Sequence, residues 1–131
     1  AHDLAGTTDA EGLLVIAPEG FAPTPQVNFT VATNAVQNGA DAVTLVQGVA
    51  ADYGNDTPIP PAGLLDAVVY GTNDGTDSGL TVPLLGVEDA QLNESQSDAA
   101  TESSQRCSDT RLDASAFLIA PATPKAANGC I

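Results

Sequence analysis

The stretch Asp66-Ala-Val-Val-Tyr-Gly-Thr-Asn-Asp-Gly-Thr-Asp-Ser-Gly-Leu80 decides how the chain is read. Ala67, Val68, Val69 and Tyr70 form an unbroken apolar run, and β-branched valine suits a pleated surface. A short apolar run bounded by turn residues predicts a strand buried on both faces. Gly71-Thr-Asn-Asp-Gly75 predicts a tight turn of positive-φ residues. Asp74 and Asp77 bring carboxylate oxygens into that loop, which reads first as a solvated acidic turn; a Ca2+ site on these oxygens is the alternative. The spacing is not that of the EF-hand calcium loop, which closes on a Glu.

Working outward, further short apolar runs alternate with turn clusters. Gly12-Leu-Leu-Val-Ile-Ala17 predicts a strand stopped by Pro18. Pro25-Gln-Val-Asn-Phe-Thr-Val31 alternates, with Val27, Phe29 and Val31 on one face and Gln26, Asn28 and Thr30 on the other. Asn34–Gln37 is a connector. Asn38-Gly39 and Asp41 predict a turn that launches a strand over 42–47, paired with its neighbour across the turn. Tyr53–Pro61 carries Pro58, Pro60 and Pro61 and is neither helix nor central strand. Leu80–Leu85, interrupted by Pro83, predicts an edge strand. Gln91–Ser97 suggests a short strand or a turn, and Ala114–Ala120 a last strand anchored by Phe117, Leu118 and Ile119. Residues 1–11 predict a flexible lead-in, and the extended tail 107–131 closes the chain. No segment sustains a helical period. The expectation is one all-β domain over residues 1–131, a sandwich of about six or seven strands.

Composition narrows the function. Seventeen acidic residues against three basic ones give a formal charge of -14, which argues against nucleic acid and anionic membranes as partners, since both need basic patches. Twelve of the acids are Asp, a turn residue, so the charge is expected between strands. Three Phe, two Tyr and no Trp leave an interior of Val, Leu, Ile and Ala. No apolar run approaches the length of a membrane span. The chain starts at Ala1 without Met, which suggests a removed leader or a fragment.

Cys107 and Cys130, 23 residues apart, predict one disulfide. In the chain-entropy model a loop of that size contributes about 3 kcal/mol. Asn28-Phe-Thr30, Asn55-Asp-Thr57 and Asn93-Glu-Ser95 fit the N-glycosylation pattern. Pro58 makes Asn55 a poorer acceptor, and Asn93, in a polar stretch, is the expected first site. Asn128-Gly-Cys130 is the rare cysteine variant, which a disulfide opposes. Arg106 is one of two arginines among these acids and should find a carboxylate.

No catalytic motif emerges. His2 is the lone histidine and sits in a polar terminal segment, so neither a Ser-His-Asp triad nor a His/Cys metal set is indicated. The Gly71–Gly79 loop lacks the following helix and the Lys of a phosphate-binding loop.

An ordered set of pieces resembles the secreted lamin-tail-like domain. They are Thr7-Thr-Asp-Ala-Glu-Gly-Leu13, Asn38-Gly-Ala-Asp-Ala-Val43, Leu65-Asp-Ala-Val-Val-Tyr-Gly-Thr-Asn-Asp74 with Ser78-Gly-Leu80, Asn93-Glu94, Ser104-Gln-Arg-Cys107 and Pro121-Ala-Thr-Pro-Lys-Ala-Ala-Asn128. The resemblance implies an immunoglobulin-like β-sandwich without catalytic residues, used for binding or assembly. Such domains open with two further strands, and this chain begins after them. Three outcomes follow for the expected sandwich: a separate N-terminal peptide completes it, a strand of a neighbouring copy completes it, or this lineage closes the sheet differently. The functional expectation is a non-catalytic, secreted structural module that builds a homo-oligomer or filament. The alternatives are a carrier of a small apolar ligand and an acidic calcium-binding matrix protein.

Overall fold

The computed structural model describes residues 1–29, 36, 38–88, 90–98 and 100–130. Among these the chain is β-rich: seven short strands, one α-helix and three single 3-10 turns. The strands are β1 (Ile16–Ala17), β2 (Val27–Asn28), β3 (Asp41–Val46), β4 (Leu64–Gly71), β5 (Leu92–Asn93), β6 (Glu102–Arg106) and β7 (Phe117–Pro121), and the helix is α1 (Ser78–Leu85). They form three small sheets, β1-β2, β3-β4-β5 and β6-β7.

β4 is the centre of the largest sheet. It pairs antiparallel with β3, Val43 opposite Val68, and parallel with β5, Tyr70 opposite Leu92. Parallel neighbours need a crossover, and α1 lies within the one joining β4 to β5. Burial alternates along β4: Ala67, Val69 and Gly71 are buried, while Asp66, Val68 and Tyr70 are half-buried. The strand is thus fully buried on one face and half-buried on the other, rather than buried on both as expected. β3 takes β4 as its partner, across the 47–63 excursion, rather than a strand on the far side of the Asn38-Gly39 turn. Gly63 closes that excursion at φ 74, where a Cβ would lie 2.5 Å from the Gln47 carbonyl oxygen.

The expected strand at Leu80–Leu85 is instead the end of α1. Asp77 caps it, its Oδ1 accepting from the Gly79 amide at 2.8 Å, and Gly86 ends it in the left-handed region at φ 77. Pro83 forfeits one intrahelical bond, yet these two caps and the burial of Leu84 keep the turn. Thr81, fully buried, turns its hydroxyl onto the Glu88 carbonyl at 2.9 Å. The expected tight turn after β4 is also built differently. Asn73, at φ 57, takes the left-handed conformation, and the Gln91 side chain packs close to Gly71, its Nε2 2.5 Å from where a Cβ would lie.

β1 and β2 pair parallel through a connection that Gln26 stitches. Its Oε1 accepts from the Val15 amide at 2.9 Å and its Nε2 donates to the Leu13 carbonyl at 3.3 Å, extending the ladder where main chain does not. The expected strand over 12–17 is accordingly short, and Val31 and Thr30 of the predicted alternating strand, with most of the connector 34–37, lie outside the described residues. Residues 1–11 form no helix or strand, but Asp3 accepts from the Ala50 amide at 2.7 Å and His2 meets the Phe29 ring edge-on.

The core is assembled from small side chains. Ala67, Val69 and Leu84 form its centre, with Ala42, Leu64, Leu80, Leu85 and Leu112 against them. Among the described residues eight apolar residues are buried, five of them alanine, while thirteen large apolar side chains stay exposed. Alanine interiors bring backbones close but bury little area, so much apolar surface is left at the rim.

Candidate functional site

Three features hold the polar and exposed groups of the molecule. The first joins two sheets. Arg106 on β6 forks onto Asp66 on β4, Nη2 donating to Oδ1 at 2.9 Å and Nη1 to Oδ2. Asp66 also accepts from the amides of Leu112 at 3.2 Å and Ala67 at 2.9 Å, and the guanidinium stacks 5.0 Å over Phe117 of β7. Burial pushes the Asp66 carboxyl up, but the hydrogen bonds from Arg106, Leu112 and Ala67 and the Arg106 charge outweigh it and leave it below its ordinary value. The bond to Asp66 raises Arg106 in turn. The expected carboxylate partner of Arg106 is thus Asp66. The pair braces the two sheets against each other.

The second is the loop after β4. Asn93 Nδ2 donates to Asn73 Oδ1 at 2.9 Å, and Asn93 Oδ1 accepts from the amides of Asn73 and Ser95 at 3.3 and 3.0 Å. The Thr72 hydroxyl donates to Glu94 at 2.5 Å. Asp74 accepts from the Thr72 amide at 2.8 Å, and Asp77 is the helix cap. The two aspartates considered as cation ligands therefore each hold a backbone amide. Among the described residues no three His, Cys, Asp or Glu side chains are grouped as metal ligands. The three sequon asparagines are exposed, but they differ: Asn28 lies on β2 and Asn55 on a turn, while the Asn93 nitrogen that would carry a sugar is already bonded to Asn73.

The third is the stapled tail. Cys107 and Cys130 are joined, with Cα atoms 5.3 Å apart. Gln105 on β6, buried, organises what the staple encloses: its Oε1 accepts from the Gly129 amide at 2.6 Å and its Nε2 donates to the Pro121 carbonyl at 2.5 Å. Asn128 donates to the Arg106 carbonyl at 2.6 Å. Gln105 escaped the sequence reading; its only signal is its inward parity with Ser103 in a period-2 strand. Between this tail and the 13–18 segment runs an open groove of about 560 Å3, lined by Leu14, Ile16, Phe21, Pro124, Lys125 and their neighbours, with no acidic residue.

Of the outer strands of the three sheets, β3 and β1 carry main-chain groups that their partner strands do not take. β3 is the outer strand of its sheet. The Ala42 and Ala67 amides bond their own preceding aspartates, so the Ala42/Val69 and Thr44/Ala67 pairs do not exchange ladder bonds, and the Thr44 amide and carbonyl face outward. Val43 and Leu45 on this strand are 53% and 46% exposed. On β1, the Val15 and Ala17 carbonyls accept from the amides of Val27 on β2 and of Phe29 just after it, so Ile16 between them turns its own amide and carbonyl away from β2; Ile16 also lines the groove. Among the described residues no helix is long and apolar enough to cross a membrane. Comparison with protein-family models, curated proteins and solved structures returns no match.

Proposed function

We propose that this chain is a non-catalytic, secreted structural module, an immunoglobulin-like sandwich of the lamin-tail-like kind that assembles with copies of itself by sharing sheet edges. The observation that carries the reading is the outer edge of β3: six residues long, uncharged after Asp41, with Thr44 main-chain groups and the Val43 and Leu45 side chains turned to solvent. Soluble proteins ordinarily blunt such an edge, since it templates pairing with another chain. The excess of exposed over buried large apolar side chains supports the same reading. The disulfide suits an oxidising, extracellular setting, and Asn28 and Asn55 are free to carry sugars.

A carrier with its ligand held between the sheets has less support. The crevice lined by Ala67, Val69, Leu85, Ala114 and Phe117 has no room for a water molecule. The test is sedimentation of the disulfide-intact chain over a range of concentrations, beside Val43→Glu, which places a like charge on the edge without touching the core. Concentration-dependent association that Val43→Glu abolishes is expected. A monomer at every concentration ends the assembly reading.

A further inference from the structure

The groove along β1 identifies the other half of the contact. Ile16, whose amide and carbonyl are not taken by β2, lines it with Phe21, both with exposed side chains, and with the 123–126 turn that the disulfide-stapled tail carries. An acyl chain laid there would bury those main-chain groups without partners, an unfavourable desolvation for each. An extended strand satisfies them, so the groove selects a strand edge.

Charge narrows the choice of strand. Two copies of a -14 chain repel, so they approach where acids are missing. The groove lining has no acid and carries Lys125, one of three basic residues in the chain, which makes no ion pair among the described residues. The outer edge of β3 has one charge, Asp41, at its end. Pairing β3 with a second β3 would bring Asp41 to both sides with no basic residue and would leave the β1 groove empty. Pairing β3 with β1 uses these two edges in every copy.

Resting on the assembly reading above, we infer that the contact is head-to-tail: the β3 edge of one copy adds to the β1 edge of the next, in the groove rimmed by Lys125. A contact between two different patches does not close on itself unless the rotation allows a ring, so it generates open filaments.

The experiment separates this inference from the reading it rests on. Thr44→Pro removes the outward amide of the donor edge, and Ile16→Pro removes that of the acceptor edge; neither amide bonds the neighbouring strand in its own molecule. Circular dichroism and an intact disulfide verify folding. Each variant alone should sediment as a monomer. Mixed in equal amounts they should form a heterodimer and stop there, because one intact donor meets one intact acceptor. Lys125→Glu, which sits on an exposed turn and leaves both strands intact, should weaken wild-type association roughly tenfold, with Lys125→Arg near wild type. Association of Ile16→Pro as strong as wild type, or no heterodimer in the mixture, overturns the head-to-tail contact and leaves β3 self-pairing. A monomeric wild type overturns both.

Discussion

Asp66 and Arg106, forty positions apart in the chain, are joined by two hydrogen bonds that tie the β3-β4-β5 sheet to the β6-β7 sheet. Five of the eight buried apolar residues among those described are alanine, so polar links of this kind add to a core that buries little area.

Asp66→Asn should destabilise the chain by about 1–3 kcal/mol, since it leaves a half-buried guanidinium without its carboxylate. The pH dependence follows from linkage. The folded carboxyl titrates below its ordinary value, so the unfolded chain binds more protons at acid pH and stability rises with pH. The Asp66 contribution is complete above the ordinary carboxylate range and is lost as pH falls through the lowered folded value. Urea melts across acid pH should show a shallower acid loss for Asp66→Asn than for wild type.

Asp77→Ala should cost about 1 kcal/mol by removing the cap of α1, with a loss of helical signal in the far ultraviolet. A strand at this position would predict no such change.

Asn93→Ala should destabilise by about 1 kcal/mol, as it breaks the link to Asn73 and the cap on the Glu94–Gln96 turn. In glycopeptide mass spectra of material from a secreting host, sugar is expected on Asn28 in preference to Asn93, whose amide nitrogen is committed.

Reduction of the Cys107–Cys130 bond should lower stability by about 3 kcal/mol and free the 123–130 segment for hydrogen exchange. It should also abolish association, because the tail is one wall of the β1 groove.

Association should strengthen as salt is raised from about 0.05 to about 0.5 M, since screening relieves the repulsion between -14 copies. Sedimentation in a salt series checks it.

Some of this was legible in the sequence. β4 announced itself by its apolar run, β3 by its valines, the disulfide by two cysteines alone in the chain, and the pairing of Arg106 by the scarcity of cations. Which carboxylate Arg106 takes was not legible, because the contact spans forty residues and twelve aspartates compete on local grounds. The helix was hidden by Pro83, although Asp77 and Gly86 bracket it as caps; a proline lowers helix propensity but does not cancel two caps and a buried Leu84. The parallel pairing of β1 and β2 left no local trace, because it depends on where Gln26 folds back. The three committed uses of Asn93, Asp74 and Asp77 were also invisible, since a polar side chain in a loop looks the same whether it faces water or a neighbouring amide.

The staple has one more consequence, for how this chain ages. Residues 108–129 include exposed turns and lie within a covalent ring. A protease that cuts once there severs the backbone but releases nothing, because the two pieces stay joined through sulfur. The nicked molecule keeps β7, Gln105 and the tail together, and on a denaturing gel it runs near full length until a reductant is added. Damage in this region would therefore accumulate silently in an oxidising environment, with shape and partners largely retained.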